Sequence, residues 1–149
     1  MKKIKDIVIN KFLCETRNLK NNYQSRLNEQ EELFKTIQLD RNLGLKNLNK
    51  ILKEISLNEY SEEIGMYSEH LILFAAIACK FNEISNILEI GTYDGVTSSI
   101  LSKLFPNSKI ITLDLEDDND LFKNIYDRND IKKRNLFIQD RNKRIAQYN

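Results

Sequence analysis

The residue types and spacings best suited to chemistry lie in residues 86–98, Asn-Ile-Leu-Glu-Ile-Gly-Thr-Tyr-Asp-Gly-Val-Thr-Ser. This pattern predicts a short buried strand, a turn that carries two glycines, and the start of a helix. Such a turn presents free backbone N–H groups at the carboxyl end of a strand, where α/β proteins bind nucleotide-like ligands. A second strand is predicted over residues 109–113, and it leads into Asp114. An acid roughly 20 residues after the glycines is where such folds bind a ribose.

The spacing of the two glycines limits the ligand. Gly91 allows an unusual backbone dihedral angle and leaves no Cβ where a ligand must approach, and Gly95 allows close passage of the helix start. A dinucleotide site would carry the pattern GxGxxG, and a P-loop would end in GK[ST]. The turn contains neither pattern. We therefore expect a nucleoside-like ligand with a small charged group rather than a diphosphate.

The elements that must position these residues form a βαβ unit. A helix over residues 96–104 joins the strands 86–90 and 109–113, which predicts that the two strands pair in parallel. Residues 136–140 are open to two interpretations, a third strand that ends in an acid or part of a helix. In the helix, three isoleucines share one face at a seven-residue spacing: Ile131, Ile138 and Ile145. We favour the helix, because only three apolar residues are contiguous in this stretch.

Residues 87–95, Ile-Leu-Glu-Ile-Gly-Thr-Tyr-Asp-Gly, resemble the first motif of the class I S-adenosylmethionine-dependent methyltransferases. The preceding loop Gly65-x-x-Ser68-Glu69 and the following segment Ile111-Thr112-Leu113-Asp114 are most similar to the small-molecule O-methyltransferase branch. The resemblance covers residues 60–120. It implies S-adenosylmethionine as the cofactor and a small molecule as the methyl acceptor.

The resemblance assigns cofactor-binding roles to nine residues: Glu89, Gly91, Thr92, Tyr93, Gly95, Thr97, Ser98, Asp114 and Leu115. The backbone of residues 91–93 would line the methionine moiety. Glu89 would face the cofactor's ammonium group or order the turn around it. No residue is assigned as a catalytic base.

The remaining assignments concern the two ends of the cofactor. Thr97 and Ser98 would donate hydrogen bonds to its carboxylate, which the helix dipole also favours. Asp114 would accept hydrogen bonds from both ribose hydroxyls, a task suited to an ionised carboxylate. Leu115 would lie beside the adenine. The acidic run 116–120 lacks the glycine and the spaced glutamate of a calcium loop, so no metal site is expected.

The predicted fold class is α/β, a Rossmann-like parallel sheet that is incomplete, with two to three strands, after a helical amino-terminal region. Residues 1–60 are predicted to form the helical extension, with Gly44 as a boundary between two helices, and residues 61–149 a partial methyltransferase domain. A complete domain of the family has seven strands, whereas 63 residues follow from Ile87 onward. We therefore expect an amino-terminal, truncated portion whose open sheet edge pairs with a second copy or a complementing chain.

Composition and charge exclude other classes of protein. No run of 18 apolar residues is present, so a membrane-spanning helix is not expected, and the basic start lacks the apolar region of a signal peptide. The net charge is +4 over residues 1–60, −7 over 61–118 and +4 over 119–149. This distribution does not favour nucleic-acid binding, and the basic ends are interpreted as solvated helix faces. We expect a cytoplasmic protein in which Cys14 and Cys79 are buried, reduced thiols.

Two other functions compete with the methyltransferase interpretation. The first is a non-catalytic nucleotide-binding or regulatory α/β module whose helical amino-terminal region contacts a partner. The second is a fragment of a nicotinamide-dependent oxidoreductase, which the missing GxGxxG pattern disfavours.

Overall fold

A computed structural model of the protein describes residues 25–61, 69–81, 83–124 and 129–148. Cys14 and the predicted loop residues Gly65 and Ser68 lie outside these ranges. The described chain is a mixed α/β fold with a two-stranded parallel sheet. Its elements are α1 over residues 25–36, α2 Arg41–Glu54, α3 Glu69–Lys80, β1 Asn86–Ile90, α4 Val96–Leu104, β2 Lys109–Leu113, α5 Asp120–Asn124 and α6 Ile131–Tyr148.

A boundary between Arg41 and Asn42 divides the chain into two compact units. Nearly all of α2 belongs to the unit that contains the sheet, and the boundary after residue 60 stays a prediction. Helix α1 ends in a Schellman motif, in which the N–H groups of Gln38 and Leu39 donate to the carbonyls of Lys35 and Phe34. Gln38 has a positive φ of 57°, so a residue other than glycine ends this helix.

Gly44 lies inside α2, so the prediction of a helix boundary there is wrong. A Cβ atom on Gly44 would lie 2.6 Å from the carbonyl oxygen of Ile72 and 2.8 Å from the Cβ of Ala76. The glycine is therefore required by the close approach of α2 to α3, and not by a turn. The end of α2 is again a Schellman motif, with Ser56 at a φ of 59°.

The hydrophobic core of the second unit is built from α2, α3 and α4, the residue that follows each of α2 and α4, and α5. Its buried apolar side chains are Leu48, Ile51, Leu52, Ile55, Leu71, Ile72, Ala75, Ala76, Ile100, Leu101, Leu104, Phe105 and Phe122. Helix α3 is less buried than its composition predicts, because its carboxyl end reaches the surface. Cys79 is exposed there, so the prediction that it is a buried thiol is wrong.

Strands β1 and β2 have the predicted bounds and pair in parallel, with Glu89 opposite Thr112 and Ile90 opposite Leu113. Helix α4 joins them with the predicted bounds and packs against β2. The prediction of a βαβ unit with parallel pairing is confirmed. Residues 136–140 lie within α6, so the helical interpretation is confirmed and the described chain has two strands.

The two faces of the sheet differ in their covering. The face that carries Glu89 and Thr112 lies toward α4. The opposite face presents large apolar side chains with exposed fractions from 40% to 83%: Leu88, Ile90, Ile111 and Leu113. Parallel sheets are normally covered on both faces. The strand β1 is therefore half-covered by the described residues, rather than buried as its sequence predicts.

Helix α6 completes the covered side by packing on α4. Asp130 caps the start of the helix, because its carboxylate accepts hydrogen bonds from the N–H groups of Lys132 at 2.8 Å and Lys133 at 3.2 Å. None of the described helices is long and apolar enough to cross a membrane.

Candidate functional site

The site is the turn between β1 and α4, residues 91–95, which we call the glycine turn. Three of its five residues have a positive φ: Gly91 at 95°, Tyr93 at 49° and Gly95 at 76°. The N–H of Gly91 donates to the carbonyl of Leu113 at 2.7 Å, and the N–H of Gly95 donates to the carbonyl of Thr92 at 2.9 Å. A positive φ is unfavourable for a tyrosine, so the surroundings must hold Tyr93 in this conformation.

The two glycines serve different purposes. A Cβ atom on Gly91 would meet no atom within 4 Å, so the space above this backbone is open. A Cβ atom on Gly95 would lie 2.9 Å from Cγ1 of Ile145 in α6. The sequence predicts that Gly95 allows close passage of the start of α4. In the structure, the element that comes close to it is α6.

The start of α4 carries the predicted donors. The N–H of Val96 donates to the carboxylate of Asp94 at 3.0 Å, and α4 has no side-chain cap on Gly95. The other N–H groups of a first helical turn have no partner within the helix and can bind an anion. Thr97 is half-buried, and Ser98 is fully buried. The structure thus brings the predicted helix residues to the glycine turn, with Ser98 beneath the surface.

A network of hydroxyl groups surrounds Glu89 below the glycine turn. The hydroxyls of Ser98 and Thr112 both donate to Oε2 of Glu89, the second at 2.7 Å. The hydroxyls of Thr92 and Thr112 lie 2.5 Å apart. A hydroxyl has one proton, and that of Thr112 is used by Glu89, so Thr92 is the donor to Thr112. The single proton of the Ser98 hydroxyl is likewise used by Glu89.

Thr112 is a member of the site to which sequence reasoning assigns no role. Its position opposite Glu89 in the strand register places both side chains on the face toward α4. That pairing could have been found by aligning the two predicted strands, because an acid and a threonine on one face readily share a hydrogen bond.

Asp114 connects the end of β2 to the glycine turn. One carboxylate oxygen accepts a hydrogen bond from the N–H of Tyr93 at 2.8 Å, and the other accepts from the N–H of Leu115 at 2.8 Å. The residue is exposed, and Leu115 beside it is 44% exposed. Two carboxylate oxygens have about four acceptor positions, so Asp114 can accept further hydrogen bonds from a ligand.

The segment 114–119, which we call the acidic loop, follows directly. Asp117 accepts two hydrogen bonds from Arg141, at 2.8 Å and 3.1 Å. The side chain of Asn119 caps α5 by accepting from the N–H of Leu121 at 2.9 Å. Within the described ranges, no group of three or more acidic, histidine or cysteine side chains is arranged to hold a metal ion.

Helix α6 contributes residues that sequence reasoning interprets as part of a solvated basic face. Arg141 is 9% exposed, and Arg144 donates a hydrogen bond to the carbonyl of Asp94 at 2.6 Å. The ring of Phe137 lies 5.6 Å from that of Tyr93. The seven-residue repeat of isoleucines predicts the helix. It does not indicate that Arg144 reaches the glycine turn and Arg141 the acidic loop, because Asp94 and Asp117 are distant from these arginines in sequence.

The site is therefore an open edge at the carboxyl ends of two parallel strands. It combines an accessible glycine, a helix start and an exposed carboxylate. A scan against models of known protein families found no match to the chain, and searches of curated proteins and of solved structures found none either.

Proposed function

We propose that this chain binds S-adenosylmethionine at the carboxyl edge of its sheet, as part of a methyltransferase that acts on a small molecule. The proposal includes a Rossmann-like arrangement of the fold and a cytoplasmic location. One observation carries it. The exposed carboxylate of Asp114 is hydrogen-bonded to the backbone of Tyr93, next to the open space above Gly91.

The chemistry of the edge supports a nucleoside with a small charged group. A carboxylate that can accept two further hydrogen bonds suits the two hydroxyls of a ribose. The start of α4 suits an anionic group, such as the carboxylate of a methionine moiety. The exposed side chain of Leu115 offers an apolar surface for a base. S-adenosylmethionine combines these groups and supplies an activated methyl group on its sulfonium.

The hydrogen bonds refine two of the expected roles. The hydroxyl of Ser98 donates to Glu89, which supports a role for the backbone N–H of Ser98, rather than its hydroxyl, in contact with the cofactor. Glu89 accepts hydroxyl protons beneath the turn, which supports its role in ordering the turn. Its remaining acceptor positions are compatible with a contact to the cofactor's ammonium group.

Calorimetric titration of the chain with S-adenosylmethionine and with NAD tests the proposal. We expect S-adenosylmethionine to bind and NAD not to bind. Asp114→Asn should weaken the binding by about 10- to 100-fold, because charge-assisted hydrogen bonds contribute about 1.5–3 kcal/mol each. Asp118→Asn, which neutralises another exposed acid of the acidic loop, is the matched control and should leave the affinity unchanged.

Absence of S-adenosylmethionine binding to the unmodified chain, under conditions where circular dichroism shows it folded, would contradict the proposal. An equal loss of affinity in both variants would also contradict it, because the effect would then come from general charge and not from a ribose contact.

The alternative function is a non-catalytic module that binds a nucleotide and associates with another polypeptide. The uncovered face of the sheet favours it, since Ile90 on that face is 83% exposed. Association with a second copy or a complementing chain through the sheet edge stays a prediction. Binding of S-adenosylmethionine with no methyl transfer to any of a panel of phenols and catechols would favour this alternative over the enzyme.

A further inference from the structure

We infer that α6 holds the glycine turn and the acidic loop in position, with Arg144 and Arg141 as its positioning residues. These two segments carry the proposed cofactor site, so the consequence for ligand affinity rests on the proposed function. The holding of the two segments by α6 is a property of the ligand-free chain and does not depend on the proposed function.

The first contact is between α6 and the glycine turn. Nη1 of Arg144 donates a hydrogen bond to the carbonyl of Asp94 at 2.6 Å and lies 3.6 Å from the Asp94 carboxylate. The next residue, Ile145, lies against Gly95, where a Cβ atom would be 2.9 Å from Cγ1 of the isoleucine. Helix α6 therefore contacts both the backbone and the side chains of the glycine turn.

The second contact is between α6 and the acidic loop. The guanidinium of Arg141 makes two parallel hydrogen bonds to the carboxylate of Asp117, at 2.8 Å and 3.1 Å. The Arg141 side chain is 11% exposed and that of Asp117 is 40% exposed. This bidentate geometry fixes direction as well as distance, which a lysine could not do.

The third contact joins the glycine turn to α5, the helix that follows the acidic loop, through one ring. Phe137 lies 5.6 Å from the ring of Tyr93 in the glycine turn and 6.1 Å from the ring of Phe122 in α5. These separations are typical of favourable aromatic pairs. The contact residues Phe137, Arg141, Arg144 and Ile145 lie at positions i, i+4, i+7 and i+8, so they share one face of α6.

The glycine turn needs such support because its own conformation is strained. Tyr93 has a φ of 49°, and strained backbone persists only where the surrounding structure holds it. Within the turn itself, the hydrogen bond from the N–H of Gly95 to the carbonyl of Thr92 closes residues 92–95. The hydrogen bond from Tyr93 to Asp114 then couples the turn to the acidic loop, so loosening of either segment affects the other.

Hydrogen exchange of the ligand-free chain tests whether α6 holds the glycine turn in position. The hydrogen-bonded amides of Tyr93, Gly95 and Val96 report on the glycine turn. We expect Arg144→Met to speed their exchange by about tenfold or more, which corresponds to about 1.4 kcal/mol. Lys143→Met, at the neighbouring exposed position of α6, is the matched control and should leave the exchange unchanged.

Swapping the charges of Arg141 and Asp117 tests the role of Arg141. It distinguishes positioning of the acidic loop from a general loss of stability. We expect Arg141→Glu to speed exchange in the acidic loop, and the double variant Arg141→Glu with Asp117→Arg to restore at least part of the protection. If Arg144→Met and Lys143→Met show equal exchange, or if the double variant is no better protected than Arg141→Glu, the inference is overturned. A double variant that restores protection supports it even where Arg141→Glu alone is poorly folded.

Titration with S-adenosylmethionine measures whether the contacts of α6 affect ligand affinity. Arg144→Met should weaken binding without loss of secondary structure, although Arg144 does not touch the ligand in the proposed arrangement. If the unmodified chain binds no S-adenosylmethionine but Arg144→Met speeds exchange in the glycine turn, the proposed function fails and the positioning role stands. Unchanged affinity in Arg144→Met, with binding to the unmodified chain intact, would overturn the link between α6 and the site.

Discussion

Substitution of Gly44 by alanine sets two physical effects of opposite sign against each other. Gly44 lies in the interior of α2, where alanine is favoured over glycine by about 1 kcal/mol. The added Cβ atom would lie 2.6 Å from the carbonyl oxygen of Ile72 and 3.0 Å from the backbone nitrogen of Ala76. Because these obstacles are backbone atoms, no side-chain rotation can remove the overlap, and α2 and α3 must move apart.

The structure indicates that the overlap outweighs the gain in helix propensity. Overpacking of a close-packed core costs about 1–3 kcal/mol, and the upper part of that range applies where the obstacle is backbone. Ile72 is fully buried, so a shift of α3 also loosens the contacts around it. Taking the gain of about 1 kcal/mol from a cost of about 3 kcal/mol predicts that Gly44→Ala lowers the free energy of unfolding by about 2 kcal/mol.

Urea unfolding followed by circular dichroism measures this change. Lys46→Ala, at an exposed position of the same helix, is the control and should change the free energy of unfolding by less than about 0.5 kcal/mol. Ala76→Gly removes the facing Cβ atom, which is 2.8 Å from the added one. Gly44→Ala and Ala76→Gly together should therefore be less destabilising than the sum of the two single changes. A Gly44→Ala protein as stable as its parent would refute the close approach of α2 and α3.

Two further predictions concern the site and the sheet. Gly91→Ala and Gly95→Ala should each destabilise the chain by about 1–2 kcal/mol through their positive φ, as measured by urea unfolding. Gly95→Ala should lower the free energy of unfolding more than Gly91→Ala does, because Ile145 must also move. Gly91→Ala should chiefly weaken S-adenosylmethionine binding. A Gly91→Ala protein less stable than Gly95→Ala would contradict the contacts of α6. Leu52→Ala, at a fully buried position, should cost about 2–5 kcal/mol, and Leu88→Ala, 59% exposed, markedly less. Similar losses in thermal unfolding would show that the outer face of the sheet is covered in solution.

Much of the central βαβ unit could be predicted from local sequence. The bounds of β1, α4 and β2 follow from short apolar runs punctuated by Gly91 and Pro106, since glycine and proline end elements through their own backbone preferences. The helical nature of residues 136–140 also follows from a seven-residue apolar repeat. These features depend on residues close together in the chain.

Sequence reasoning failed where the deciding atoms belong to distant residues. Gly44 marks the crossing of two helices, and the true ends of α1 and α2 are set by Gln38 and Ser56, which are not typical of the left-handed conformation. The exposure of Cys79 depends on where α3 meets the surface, which its apolar composition does not indicate.

The sequence by itself determined the elements of the site: a strand, a turn with two glycines, a helix start and an acid after the next strand. Local backbone preferences and hydrophobic spacing are sufficient for that. Only the tertiary structure decided that Asp114 is bonded to the backbone of Tyr93, that Thr112 supports Glu89, and that one face of the sheet is uncovered. It also decided that Arg141 and Arg144 reach back to the two loops, because such contacts arise only when residues 24 and 50 positions apart are folded together.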